Sequence, residues 1–132
     1  MSRIISLSEG ASIGIHGIIL IARDSESVNV QTIAKATDTS RHHVAKIMQR
    51  LVKEGLLTSH RGPGGGFVLK KKAKDITLLN VYEAIEGKIV ATKCPLNKHI
   101  CPFKKCLMNN ITYELTLQFK EYLKSQTVEM YL

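Results

Sequence analysis

The residues best equipped for chemistry are Cys94, Cys101 and Cys106, the three cysteines of a 132-residue chain. Six residues separate the first pair and four the second. An odd, clustered set of thiols does not make a disulfide framework. Gathered thiolates suit a soft metal centre, zinc or an iron–sulfur cluster, or a thiol redox switch. A zinc site asks for a fourth close Cys or His, and His99 stands within the same stretch. The spacing by itself leaves these alternatives open.

Charge is the second chemical feature. Nineteen Lys and Arg against eleven Asp and Glu give a net charge of +8. Residues 41–74 hold nine bases, from Arg41 to Lys74, and one acid, Glu54, a surplus equal to the whole net charge. A basic patch this local is the footprint of a polyanion, most often nucleic acid. A lysine-rich face that is merely solvated is the competing reading.

The elements that must position these groups follow from pattern. Residues 8–23 read as a helix with Ser8 as N-cap and Ala11, Ile15, Ile18, Ile19 and Ala22 at helical spacing. Gly10, Gly14 and Gly17 share one face of it, which implies that another helix comes close there. Asn29 caps a short helix from Val30 to Ala36, and Ser40 caps a second whose buried stripe is Val44, Ile47, Met48, Leu51 and Val52. Arg41, His42, Lys46, Gln49, Arg50 and Lys53 lie on its opposite face. Two short helices joined by a tight turn make a helix-turn-helix.

Two strands, Leu57–His60 and Phe67–Lys70, then flank the loop Arg61-Gly62-Pro63-Gly64-Gly65-Gly66 and form a wing. A phosphate-binding loop of the nucleotide-hydrolase type is excluded, because no Gly-Lys-Ser/Thr follows the glycines. A further helix runs from Thr77 to Gly87, with Ile76 and Val81 as a hydrophobic staple. Residues 88–106 lack periodicity. A long helix over Leu107–Val128 carries the seam Leu107, Ile111, Leu115, Phe119 and Tyr122, which is expected to pack on a second subunit. The fold class is thus mainly α: a winged helix-turn-helix with a three-helix core, a two-stranded wing and a C-terminal dimerisation helix. The organisation reads as 1–87 for DNA binding, 88–106 for sensing and 107–132 for dimerisation.

Composition agrees. With 44% hydrophobic and 23% charged residues the chain is an ordinary globular protein and not a disordered one. The longest apolar run, near Ile18–Ala22, is far too short to span a membrane. The first residues lack the features of a secretion signal, so a cytoplasmic protein is expected. No nucleophile and base stand in a motif that would make an enzyme.

The segment from Gly55-Leu56-Leu57 through Arg61-Gly62-Pro63-Gly64-Gly65-Gly66-Phe67, followed by Ile76-Thr77-Leu78-Leu79-Asn80-Val81 and Glu86-Gly87, resembles the winged-helix regulators that include IscR, NsrR and CymR. The likeness covers nearly the whole chain. It implies a homodimeric bacterial transcription factor, usually a repressor, that binds double-stranded DNA at palindromic operators. Many members hold an iron–sulfur cluster, 2Fe-2S or 4Fe-4S, through three cysteines before the dimer helix, and Cys94, Cys101 and Cys106 occupy that place. The spacing departs slightly from the family's pattern. Asn109 stands where IscR-like proteins have a histidine, and Ser12 where NsrR-like proteins bring an aspartate from the partner. His16, one turn beyond Ser12, becomes the candidate fourth ligand; Glu9 is the weaker choice on that face and His99 another.

On this reading Ser40, Arg41, His42 and His43 reach base edges in the major groove. Lys46, Arg50 and Arg61 contact phosphates or the adjacent minor groove, where Gly62 and Gly64 allow close approach. Gain or loss of the cluster resets the angle between two winged helices whose spacing must match DNA. The alternative is a cluster-free regulator of the same fold that acts through a partner protein, a thiol switch or zinc.

Overall fold

Ser8, Asn29, Ser40 and Thr77 each stand one residue before a helix, and each accepts a hydrogen bond from a backbone N–H in the first turn. These caps satisfy donors that the helix itself cannot, and they set where the helices begin. In the computed structural model, which describes residues 6–92, 94 and 101–132, the helices are α1 (Glu9–Arg23), α2 (Val30–Thr37), α3 (Arg41–Lys53), α4 (Leu78–Glu86) and α5 (Ile111–Ser125). Two antiparallel strands, β1 (Leu57–His60) and β2 (Gly66–Leu69), form the wing, with Leu57 opposite Leu69 and His60 opposite Gly66. The mainly α winged helix is therefore the fold. None of the helices among the described residues is long and apolar enough to cross a membrane.

Asp38 ends α2 in the left-handed conformation, which makes the tight turn into α3. Val44, Ile47, Met48 and Leu51 of α3 are buried among Ile13, Ile18 and Ile33. Thr77 and Asn80 form a reciprocal capping box at the start of α4, and the staple residues Ile76 and Val81 are both fully buried.

The glycine face of α1 is where its neighbours come close. A Cβ on Gly14 would lie 2.1 Å from Ile85 Cδ1 of α4, and one on Gly17 would lie 2.7 Å from Met48 Cε of α3. This face draws in Ala11, Ile13, Ile18 and Ile21, whereas Ile15, Ile19 and Ala22 of the expected stripe are only half-buried. The periodicity was right for a helix, but the absent side chains decided which face goes inward.

Two boundaries differ from expectation. The second strand starts and stops one residue earlier than Phe67–Lys70, although Lys70 N–H still donates to Leu56 O. The last helix is shorter than Leu107–Val128. Asn109 and Asn110 take positive φ values of 50° and 59° just before it, a conformation asparagine tolerates. At the other end Gln126 is extended, so that Thr127 pairs with Thr77 and Val128 N–H donates to Ile76 O. Val128 is fully buried in the winged-helix core, and a 3-10 turn over Val128–Tyr131 follows. Apolar packing also ties α5 to its own chain: Leu123 joins Leu78 and Leu79, and Phe119 meets Tyr82 edge-on at 5.4 Å.

Candidate nucleic-acid interface and metal centre

The capping hydroxyl of Ser40 accepts from His43 N–H at 3.1 Å and fixes the start of α3. Because Val44, Ile47, Met48 and Leu51 turn inward, Arg41, His42, Lys46, Gln49 and Lys53 are exposed. His43 and Arg50 sit on the flank that faces the neighbouring helices. His43 Nδ1 lies 2.8 Å from Glu9 Oε1 of α1, and Arg50 Nε donates to Ala84 O of α4 at 3.0 Å. The structure thus separates two groups within the expected reading set: outward residues, and two that are tethered to the scaffold.

The wing is held beside this helix by a contact the sequence does not announce. Val28, just before α2, exchanges two backbone hydrogen bonds with Phe67 of β2, at 3.1 and 2.8 Å. Ser27 Oγ donates to Gly64 O at 2.5 Å, which anchors the wing tip. Gly62 and Gly64 take φ values of 90° and 74° with open space around them, so backbone conformation, and not crowding, demands glycine there. Arg61 is exposed beside them.

Among the described residues the one basic side chain within 4 Å of a carboxylate is His43, beside Glu9. Arg41, Lys46 and Arg61 therefore have no carboxylate partner among the described residues. Their charge remains available to an external polyanion.

The cysteines lie on the segment that leaves α4 after Gly87. Cys94 is half-buried, Cys101 and Cys106 are exposed, and no disulfide joins them. The backbone N–H of Asn110 lowers the pKa of the Cys106 thiol, with further help from Met108 and Asn109; proximity to Cys94 acts in the opposite sense. The Cys106 thiol is thus held below its ordinary pKa, and Cys94 is near enough to interact with it. Among the described residues no three His, Cys, Asp or Glu side chains converge on a point where a metal ion would sit. The donor chemistry of the three thiols fits an iron–sulfur or zinc centre. His99 lies outside the described residues.

His16 is exposed on α1, with Nδ1 2.7 Å from Ser12 O. A carbonyl only accepts, so Nδ1 is the donor in this contact and Nε2 is the ring nitrogen left outside it. Metal-binding histidines use this arrangement. His16 opens onto a groove of about 500 Å³ lined by Ser12, Ile15, Ile19, Leu78 and Tyr131. Glu9, the other candidate on this face, is instead engaged by His43.

Comparison with known proteins decides the family. The family model Rrf2, described as an iron-dependent transcriptional regulator, matches residues 7–131. The chain belongs to the Rrf2 family. It is similar to IscR of Klebsiella pneumoniae, 30% identical over 110 residues that make up 82% of this chain and 68% of that one. IscR of Pectobacterium atrosepticum is 28% identical over 102 residues, 77% of this chain. The matched region spans 62% of that relative's own length.

Two solved structures share the fold. CymR, the global cysteine regulator of B. subtilis, superposes with a TM-score of 0.77 at 23% identity, covering 96% of this chain and 95% of that one. IscR of T. potens gives 0.75 at 20% identity, covering 95% and 84%. Rrf2 proteins are DNA-binding transcriptional regulators and not enzymes, and so is this one.

Proposed function

We propose that this Rrf2 protein is a homodimeric repressor whose hold on a palindromic operator depends on an iron–sulfur cluster carried by Cys94, Cys101 and Cys106. The observation that carries the reading is the pairing of two features on one chain. One is an unneutralised basic face on α3 and the wing; the other is a three-thiol segment that starts at the end of a helix packed against α1 and α3. The family description as iron-dependent, and the IscR relatives, support it.

On DNA, Arg41 and His42 at the start of α3 read base edges, with Ser40 holding that start in place. Lys46, and Arg61 with the glycines Gly62 and Gly64 of the wing, bind the phosphate backbone or the adjacent minor groove. Arg50, through its bond to Ala84 O, keeps α3 registered against α4 while its charge adds to the field. The units divide as 1–87 for DNA, 88–106 for sensing and 107–132 for dimerisation, with the last few residues of the third returning to the first.

The apolar strip Ile111, Leu115 and Tyr122 on α5, exposed by 42%, 36% and 56%, supports a second copy as its cover. A partner's His16, whose Nδ1 is held by Ser12 O and whose Nε2 lies outside that contact, supplies the fourth ligand beside the three thiols. When bound, the cluster supplies a link that oxidation or nitric oxide can break. Cys94, Cys101 and Cys106 would hold that group, and its gain or loss would act through the segment after Gly87 on the angle between the two α3 helices. DNA half-sites stand about 34–36 Å apart or at multiples of it, so a small rotation alters affinity.

The test is the absorption spectrum of the full chain purified without oxygen, with iron and acid-labile sulfide counted per subunit. Matched iron and sulfide with visible absorption is the expected result. A colourless protein without iron after attempted reconstitution overturns the cluster and leaves the DNA-binding assignment standing.

A further inference from the structure

His43 and Glu9 stand out because their contact runs against the electrostatics of the surface they occupy. Among the described residues this is the one carboxylate within 4 Å of a basic side chain, and α1 places it 2.8 Å from a histidine in the first turn of α3. A negative charge at that position opposes the approach of a polyanion. We infer that Glu9 is a positioning residue: it holds the His43 ring through Nδ1 so that the Nε2 edge faces a hydrogen-bonding group of the DNA.

Three observations support this. The His43 side chain is 36% exposed, with Nδ1 on the Glu9 side of the ring. His43 Nε2 has no hydrogen-bond partner among the described residues, where the one buried side-chain polar atom left unpaired is Thr112 Oγ1, so the Nε2 edge meets solvent. The helix end that carries Glu9 is held from behind, while the Glu9 side chain itself is 65% exposed. Its neighbour Ser8 caps α1 by accepting from Ala11 N–H, and the Ser8 hydroxyl bonds Glu86 near the end of α4. The carboxylate thus stands on a helix end held from two sides, which is how a ring orientation is preset before DNA arrives.

Glu9 also has a bland task, since an acidic residue in the first turn of α1 complements the helix dipole. The two tasks separate by experiment. The inference rests on α3 being the DNA-reading helix, and Arg41→Ala serves as the control for that premise. The probes are a duplex selected by the parent protein from a randomised library and an unrelated duplex of equal length.

Glu9→Ala is expected to weaken binding to the selected duplex by about threefold to tenfold, the net worth of one hydrogen bond. Binding to the unrelated duplex is expected to stay level or tighten. Glu9→Gln keeps an acceptor for Nδ1–H and is expected to bind the selected duplex like the parent, whatever small stability it loses at the helix end. In a His43→Ala background, itself weakened, Glu9→Ala is expected to weaken binding no further. Tighter binding of the selected duplex by Glu9→Ala, impairment of Glu9→Gln equal to that of Glu9→Ala, or full additivity of the two changes each overturns the inference. If Arg41→Ala weakens binding while His43→Ala does not, this inference alone fails. If neither does, the reading of α3 fails with it.

Discussion

The winged helix and the cysteine segment of this chain are built on opposite principles. From Ser8 to Gly87 nearly every functional side chain is placed by something beneath it: a cap, a buried apolar stripe or a backbone bridge such as Val28–Phe67. Residues 101–110, which carry two of the three thiols, are all exposed, and none of them joins the hydrophobic core. A reading surface must be rigid before its target arrives, whereas a sensing segment must have two states with a small gap between them. The first is stabilised from within the chain. On the proposed reading, a ligand and a second subunit fix the second.

The largest effect that sharpens this contrast is on the metal. Serine at Cys94, Cys101 or Cys106 is expected to abolish bound iron in anaerobically purified protein while the melting temperature of the winged helix stays close to the parent's. Loss of folding in all three variants would show that the segment is structural and erase the distinction.

The next effect lies on the reading face. Arg41→Ala is expected to cost about 1–3 kcal/mol on a selected duplex and to relax preference at one position. Lys46→Ala should weaken all duplexes alike and lower the salt slope by about one unit. Salt titrations on selected and unrelated duplexes check both, and equal behaviour of the two variants would mean that the start of α3 does not read bases.

A comparable effect on stability comes from Gly14→Val, which forces a side chain into the space of Ile85. Overpacking of this kind costs about 1–3 kcal/mol, seen as a lower urea midpoint. An unchanged midpoint would show that α1 and α4 are looser than they look. The smallest expected change is Asn29→Ala, which removes the cap of α2 at about 1 kcal/mol.

These regions also differ in how far their sequence could be read. The caps Ser8, Asn29, Ser40 and Thr77, the stripe of α3 and the wing follow from short-range pattern, because local spacing and turn chemistry determine them. The glycine stripe of α1 announced a close neighbour, but which face is buried depended on Ile85 and Met48, far along the chain. The His43–Glu9 pair, 34 residues apart, and the Thr77–Thr127 bridge are long-range contacts that no local pattern encodes. The last helix is shorter than its apolar pattern implies, because the backbone turns away at Asn109 and Asn110 and again at Gln126, which side-chain spacing does not reveal. The cysteine segment was legible only as donor chemistry, since spacing names the ligands and not the geometry that gathers them.

The central claim is that the state of the cysteine segment governs the hold of α3 on DNA. The most direct measurement is the affinity of one anaerobic preparation for a selected duplex, before and after iron is stripped by a chelator, with Cys106→Ser treated identically. A marked loss of affinity on stripping, absent in Cys106→Ser, is the predicted result. Equal affinity before and after stripping, in a preparation shown to have carried iron, would contradict it.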